Sequence, residues 1–204
     1  MILASGSPRR KELLGWTKIP FEIIKSDVEE KSDITDPHDL VAELARMKGR
    51  DVYDQLQNPS ASPFVISSDT LVSLGDEVLG KPANTAEARA MLQKLSGQVH
   101  QVFTGVCVHY LSHKTGQMEV MEFVEKSDVE FQPIIEDVLE TYLDSGDSLD
   151  KAGSYGIQGQ ALTFIKGLNG SYTNVMGFPL SEFIFKIKEL CEQEGFEDWR
   201  EAFE

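Results

Sequence analysis

Short apolar runs and helical stretches alternate along this 204-residue chain, each bounded by Gly, Pro, Asn or Asp, and that interleaving restricts the fold more than any other feature. Residues 1–4 read as a short buried strand. Pro8 suits the first turn of a helix, where its missing N–H costs nothing, and the helix it opens runs to Leu14 with Gly15 as its stop. Residues 21–26 alternate as a strand. Asp36-Pro37 opens a second helix to about Leu56, with Leu40, Val41, Leu44, Ala45 and Met47 on its apolar side. A loop over 58–63 leads into a buried strand at 64–67; residues 71–74 either continue it or begin another. Gly75-Asp76 makes a turn before a short return strand at 77–79. Thr85 is the expected cap of a helix ending at Ser96-Gly97. Residues 98–111 and 118–131 form an antiparallel pair around a turn near Gly116. Beyond them come a helix at 134–145, a strand at 161–165, a turn at 167–171 and a helix at 179–193. Such an order predicts an α/β fold: a mixed, twisted sheet flanked by helices, in one domain spanning 1–204.

Four polar clusters interrupt this pattern. Ser5-Gly6-Ser7-Pro8-Arg9-Arg10 combines guanidinium groups and hydroxyls with a helix N-terminus, where free N–H groups and the helix dipole favour an anion. Adjacent arginines on a helix point about 100° apart, so at most one reaches deep into a pocket. Ser67-Ser68-Asp69-Thr70 places a carboxylate directly after an apolar strand, at an expected strand end facing a cleft. That carboxylate can bind Mg²⁺ or accept a proton from water. Gly80-Lys81-Pro82 offers a flexible cation. Lys151 to Gly159 (KAGSYGIQG) is a glycine-rich turn whose Gln158 can both donate and accept, as reading a base edge requires. Each cluster alone also has a plain structural reading, as solvated arginines, a capping Asp, or an ordinary turn. Neither GxxxxGK[ST] nor GxGxxG occurs, and there is no HExxH or GxSxG.

The net charge of −15 argues against a nucleic-acid binder, which would carry a basic face. An anionic substrate therefore needs a local basic pocket, for which Arg9, Arg10, Lys48, Lys81 and Lys151 are the candidates. No apolar run approaches a membrane span, and the first ten residues lack the layout of a signal peptide. Cys107 and Cys191 are too few for a disulfide framework and fit a reducing, cytoplasmic setting. The acidic stretch at about 191–204 reads as a solvated helical face.

Six stretches, in order, resemble the Maf family of nucleoside triphosphate pyrophosphatases: LASGSPRR (from Leu3), SSDTLV (from Ser67), GKP (from Gly80), LSGQVHQVFTGV (from Leu95), DKAGSYGIQG (from Asp150) and NVMGFPL (from Asn174). The resemblance implies two lobes around a deep nucleotide-binding cleft. It implies hydrolysis of a nucleoside triphosphate to the monophosphate and diphosphate with a divalent cation, Mg²⁺ or Mn²⁺. SPRR together with IQG looks like the branch acting on dTTP and UTP, which limits misincorporation of excess or non-standard nucleotides. Carried over to this chain, the resemblance makes Asp69 the proton acceptor, Arg9, Thr70 and Gln158 the specificity residues, and Ser7, Lys48 and Lys81 the triphosphate contacts. Asp69 and Glu30 become the metal-associated acids, with Glu29 a rival to Glu30. The competing readings are a pyrophosphatase for 7-methyl-GTP or other modified nucleotides, and a non-catalytic nucleotide sensor regulating cell division. A nucleoside triphosphate substrate, no nucleic acid, no membrane, and a homodimer are the expected partners. Gly49 departs from the family, which usually has alanine after this lysine, and Ser68 stands where alanine or glycine is commoner.

Overall fold

The computed structural model describes residues 1–56 and 64–203. The loop expected at 58–63 lies outside the described residues. In chain order the elements are β1 (Ile2–Leu3), α1 (Pro8–Gly15), β2 (Glu22–Ile23), α2 (Pro37–Asp54), β3 (Phe64–Leu74), β4 (Glu77–Leu79), α3 (Thr85–Leu95), β5 (Val99–Leu111), β6 (Met118–Phe131), α4 (Glu136–Asp144), β7 (Ile165–Asn169), α5 (Tyr172–Met176) and α6 (Leu180–Glu194). The result is a mixed sheet of seven strands flanked by helices. Its main path runs β2-β1-β3-β5-β6-β7, and β4 pairs with β3. The β1–β2 and β1–β3 pairs are parallel and the rest antiparallel.

The helices form where local chemistry demands. Asp36 caps α2 by accepting from the Asp39 N–H, and Pro37 follows at the first turn. Val41, Leu44, Ala45, Val52 and Tyr53 then recur at helical spacing and bury one stripe of α2 against β3 and β5. For α3 the cap is Asn84 rather than Thr85: the Asn84 side-chain Oδ1 accepts from Glu87 N–H at 3.0 Å, and Thr85 is the first helical residue. One core cluster gathers Leu13, Leu14, Phe178, Phe183 and Ile187 against β3 and β5; another gathers Leu92, Leu95, Leu139, Tyr142 and Phe164.

Three further expectations are corrected. Residues 64–74 are one 11-residue strand, so Asp69 lies in its interior rather than at its end. The polar run does not break the ladder, because every one of its positions pairs with β5 and its side chains find partners elsewhere. The expected strand at 161–165 is a 3₁₀ turn, Gln160–Thr163, followed by β7. Ala161 and Phe164 are buried while Leu162 is 54% exposed, a spacing of three that no strand satisfies. Gly167 accordingly lies within β7 rather than in a turn. The acidic tail is not one continuous helix, although Glu192, Glu197, Asp198 and Glu201 are exposed as expected. Gly195 ends α6 in a left-handed conformation (φ 99°), and Trp199–Phe203 turns back as a 3₁₀ segment. Phe203 meets Phe64 at 4.9 Å between ring centres, and Ala202 is buried. Among the described residues no helix is long and apolar enough to cross a membrane.

Candidate functional site

The site grows from an irregularity of the sheet. On one edge of β3, Val65 and Ile66 pair with β1, and Val72 to Leu74 pair with β4. Among the described residues, Ser67 to Leu71 between them face no strand on that edge. Side chains alternate sides along a strand, so Asp69 and Thr70 leave β3 on opposite faces. Both nevertheless line the same cavity of about 750 Å³, which opens at this gap.

Asp69 points to the α2 side. Its Oδ1 accepts from Lys48 Nζ at 2.6 Å, and the same ammonium lies 2.9 Å from Glu30 Oε1. Asp69 is 8% exposed, whereas Glu30 is open to solvent. Glu29, the rival acid, pairs instead with Lys31 and does not line the cavity. Lys48 is carried to this place by α2, and Gly49 lets the helix approach the sheet. A Cβ on Gly49 would come within 2.6 Å of both His109 Nδ1 and Ser67 Oγ. The departure from alanine therefore matches a histidine on β5 that fills the space.

On the other face Arg10, not Arg9, is the inward arginine. Its Nε donates to the Gly177 carbonyl at 2.9 Å and its Nη2 to Thr70 Oγ1 at 3.0 Å. Burial lowers its pKa, Asp69 opposes that, and Arg9 adds to it. Arg9 lies at the wall, 3.7 Å from Asp150. Ser7 caps α1 at the cavity's edge, and its own N–H donates to Ser5 Oγ at 3.2 Å.

The two remaining clusters meet through the backbone. Gly153 N–H donates to Gly80 O at 3.0 Å, tying the glycine-rich turn to the Gly80-Lys81 turn. Gly153 sits at φ 66° with Val72 2.9 Å from where its Cβ would be, so only glycine fits. Lys151 is no free phosphate cation: it is buried and bonded to Asp147 Oδ1 at 2.7 Å and to Asp150 Oδ1 at 2.5 Å. Lys81 is exposed and, among the described residues, in no ion pair. Tyr155 forms part of the wall and its hydroxyl lies 2.7 Å from His100 Nε2.

Ser7, Arg9, Glu30, Lys48, Asp69, Thr70, Lys81 and Gln158 thus all line one cavity. Sequence reasoning passed over Arg10 as the deep member of its pair, and missed Thr104 and the Gly177 carbonyl, which hold Thr70. The helix pattern contained a signal for Arg10, since it falls at the spacing of Leu13 and Leu14, which are buried. A separate carboxylate–imidazole group, Asp36, His38 and Asp39, is exposed at the start of α2. It is twelve residues from Lys48, about 18 Å along the helix axis, and Asp36 already serves as the cap.

Fold and site together define an α/β protein whose pocket joins cations, a helix N-terminus and a lysine-bridged pair of carboxylates, a composition suited to a polyphosphate. The family profile described as Maf-like protein matches residues 1–190, and the chain belongs to that family. It is 43% identical over 190 residues to a protein of Thermococcus kodakarensis named dTTP/UTP pyrophosphatase, covering 93% of this chain and 96% of the relative. A Bacillus cereus protein of the same name is 41% identical over 191 residues, covering 93% and 95%.

Proposed function

We propose that this chain hydrolyses nucleoside triphosphates, dTTP and UTP foremost, to the nucleoside monophosphate and diphosphate. The observation that carries the reading is the Lys48 bridge between Asp69 and Glu30 inside a cavity that also holds Ser7, Arg9, Lys81 and Gln158. The relatives named above act, by their names, on the same two nucleotides.

Asp69 and Glu30 both reach the Lys48 ammonium, and their oxygens are the donor type that a divalent cation shared with substrate phosphates takes. Mg²⁺ or Mn²⁺ held there would neutralise phosphate charge and polarise a phosphoryl oxygen. Lys48 and Lys81 counter the triphosphate charge, and Ser7 with the first N–H groups of α1 receives a phosphate oxygen. Asp69 Oδ1 is engaged by Lys48, leaving Oδ2 to take the proton of a water. The water oxygen bonds to the α-phosphorus as the bond from that phosphorus to the bridging oxygen breaks, and diphosphate leaves with the electron pair. Arg9, Thr70 and Gln158 read the base. Gln158 makes no side-chain hydrogen bond among the described residues, so its amide is available to a ligand. Cytoplasmic action on free nucleotides as a homodimer, and a role in limiting misincorporation, belong to the same reading.

The test is diphosphate release with Mg²⁺ or Mn²⁺ across dTTP, UTP, CTP, dCTP, GTP, ATP and 7-methyl-GTP, beside Asp69→Asn. Selective turnover of dTTP and UTP, lowered about 100-fold or more in the variant, is expected. Preference for 7-methyl-GTP would overturn the substrate assignment and keep the reaction. Binding without release of diphosphate from any nucleotide would replace the enzyme by a sensor.

A further inference from the structure

The hydroxyl of Thr70 is polarised in one direction by groups on three other elements. Thr104, on β5 and fully buried, is its cross-strand partner. Thr104 Oγ1 lies 3.0 Å from the Asn174 carbonyl oxygen and 3.0 Å from Thr70 Oγ1. A carbonyl oxygen only accepts, so the single hydroxyl proton of Thr104 goes to Asn174 O. Thr104 then offers Thr70 a lone pair and nothing else. The Arg10 guanidinium only donates, and its Nη2 gives a proton to Thr70 Oγ1 at 3.0 Å. Thr70 must therefore send its own proton inward to Thr104 Oγ1; the other acceptor nearby, Gly177 O at 3.5 Å, is also internal and already takes the Arg10 Nε–H. One lone pair of Thr70 is spent on Arg10, and the second remains at the cavity wall.

A threonine hydroxyl normally rotates to give or take as its partner requires. Here the cavity meets only an acceptor. Around it Val102, Val175 and Met176 also line the cavity, an apolar setting for a flat ring, while Asp69, with Lys48 against it, leaves β3 on the opposite face. We propose that Thr104 is a positioning residue that fixes Thr70 as a hydrogen-bond acceptor, so that Thr70 selects a pyrimidine carrying an N3–H, uracil or thymine, against cytosine. The inference rests on the pyrimidine-nucleotide reading given above and deepens it. Cytosine presents a lone pair at N3, which would oppose the lone pair of Thr70 and leave both unpaired at the cavity wall. A mismatch of that kind lowers affinity about tenfold or more.

Thr104→Val keeps the shape of the side chain and removes the acceptor that draws the Thr70 proton inward; Thr104→Ser keeps the hydroxyl. The experiment is calorimetric binding of the non-hydrolysable α,β-imido analogues of UTP and CTP to the wild type and both variants, which reads the base without requiring turnover. The wild type and Thr104→Ser are expected to prefer the uracil analogue, and Thr104→Val to lose at least about tenfold of that preference. A Thr104→Val protein that unfolds cooperatively yet keeps the wild-type preference would overturn the proposal, as would a wild type that binds both analogues alike. If Thr104→Val fails to fold, the N3-methyl uracil analogue on the wild type decides: equal binding overturns the proposal, and a loss of tenfold or more supports it. Intact preference without diphosphate release would sink the catalytic reading alone. Normal turnover with an unchanged preference in Thr104→Val would sink this inference alone.

Discussion

Acid should weaken this fold through a buried histidine whose contribution can be isolated. His100 lies on β5 with no exposed surface, its ring centre 4.8 Å from Phe131 and 5.3 Å from Tyr155. Nε2 meets the Tyr155 hydroxyl, and Nδ1 has no partner among the described residues. Burial among these rings pushes the imidazole from its ordinary 6.5 to about 4. The folded chain therefore keeps His100 neutral at pH values where the unfolded chain has protonated it. Between those two values the unfolded state binds more protons, so stability rises with pH. The contribution is complete above about 6.5 and is lost as the pH falls toward 4. At about 1.4 kcal/mol for each pH unit, the interval is worth about 3 kcal/mol, against a total of about 5–15 kcal/mol for a typical domain. Protonating carboxylates of a chain with net charge −15 also relieves repulsion, with the opposite sign, so the wild type alone is not the test. Urea unfolding of the wild type and His100→Asn should be compared in steps from about pH 7 to 4. The wild type is expected to lose about 3 kcal/mol relative to the variant over that range. A stability difference between the two that stays constant with pH would refute the reasoning.

Two further predictions concern the neighbourhood of Lys48. Gly49→Ala forces a methyl group within 2.6 Å of His109 and Ser67, both buried, and is expected to cost about 1–3 kcal/mol, read as a drop of several degrees in Tm. Adding His109→Ala should recover part of that loss, and strict additivity in the double-mutant cycle would rule out the clash. Glu30→Gln should raise the Mg²⁺ concentration needed for half-maximal diphosphate release about tenfold or more, while Glu29→Gln leaves it unchanged. Equal effects of the two in a metal titration would contradict the choice of Glu30.

Much of the architecture was legible because its signals are local. The proline at the start of α1, the aspartate capping α2 and the turn around Gly116 each act on a few neighbouring residues, and the long β5–β6 pair follows from two apolar runs about one short turn. The errors fell where local and tertiary signals diverge. Ala161 to Ile165 is β-rich enough to suggest a strand, yet the space beneath it takes Ala161 and Phe164 at a spacing of three. The acidic tail reads as one solvated helix, but its Phe203 packs on Phe64 of β3 and its Ala202 is buried, which no local pattern displays.

The sequence by itself determined which chemical groups were available: the polar clusters, their order and their neighbours along the chain. Tertiary structure decided what those groups could do together. It turned Arg10 rather than Arg9 inward, bonding it to a carbonyl 167 positions away. It put Lys48 between Asp69 and Glu30, took Lys151 out of play with Asp147 and Asp150, and fixed the direction of the Thr70 hydroxyl through Thr104. The physical reason is one of range. Capping, turn formation and periodic burial depend on residues within a turn or a strand of one another. Ion pairs and hydrogen-bond polarity in a cavity depend on strand register and helix approach to within a fraction of an ångström, and those are set only when the whole sheet has assembled.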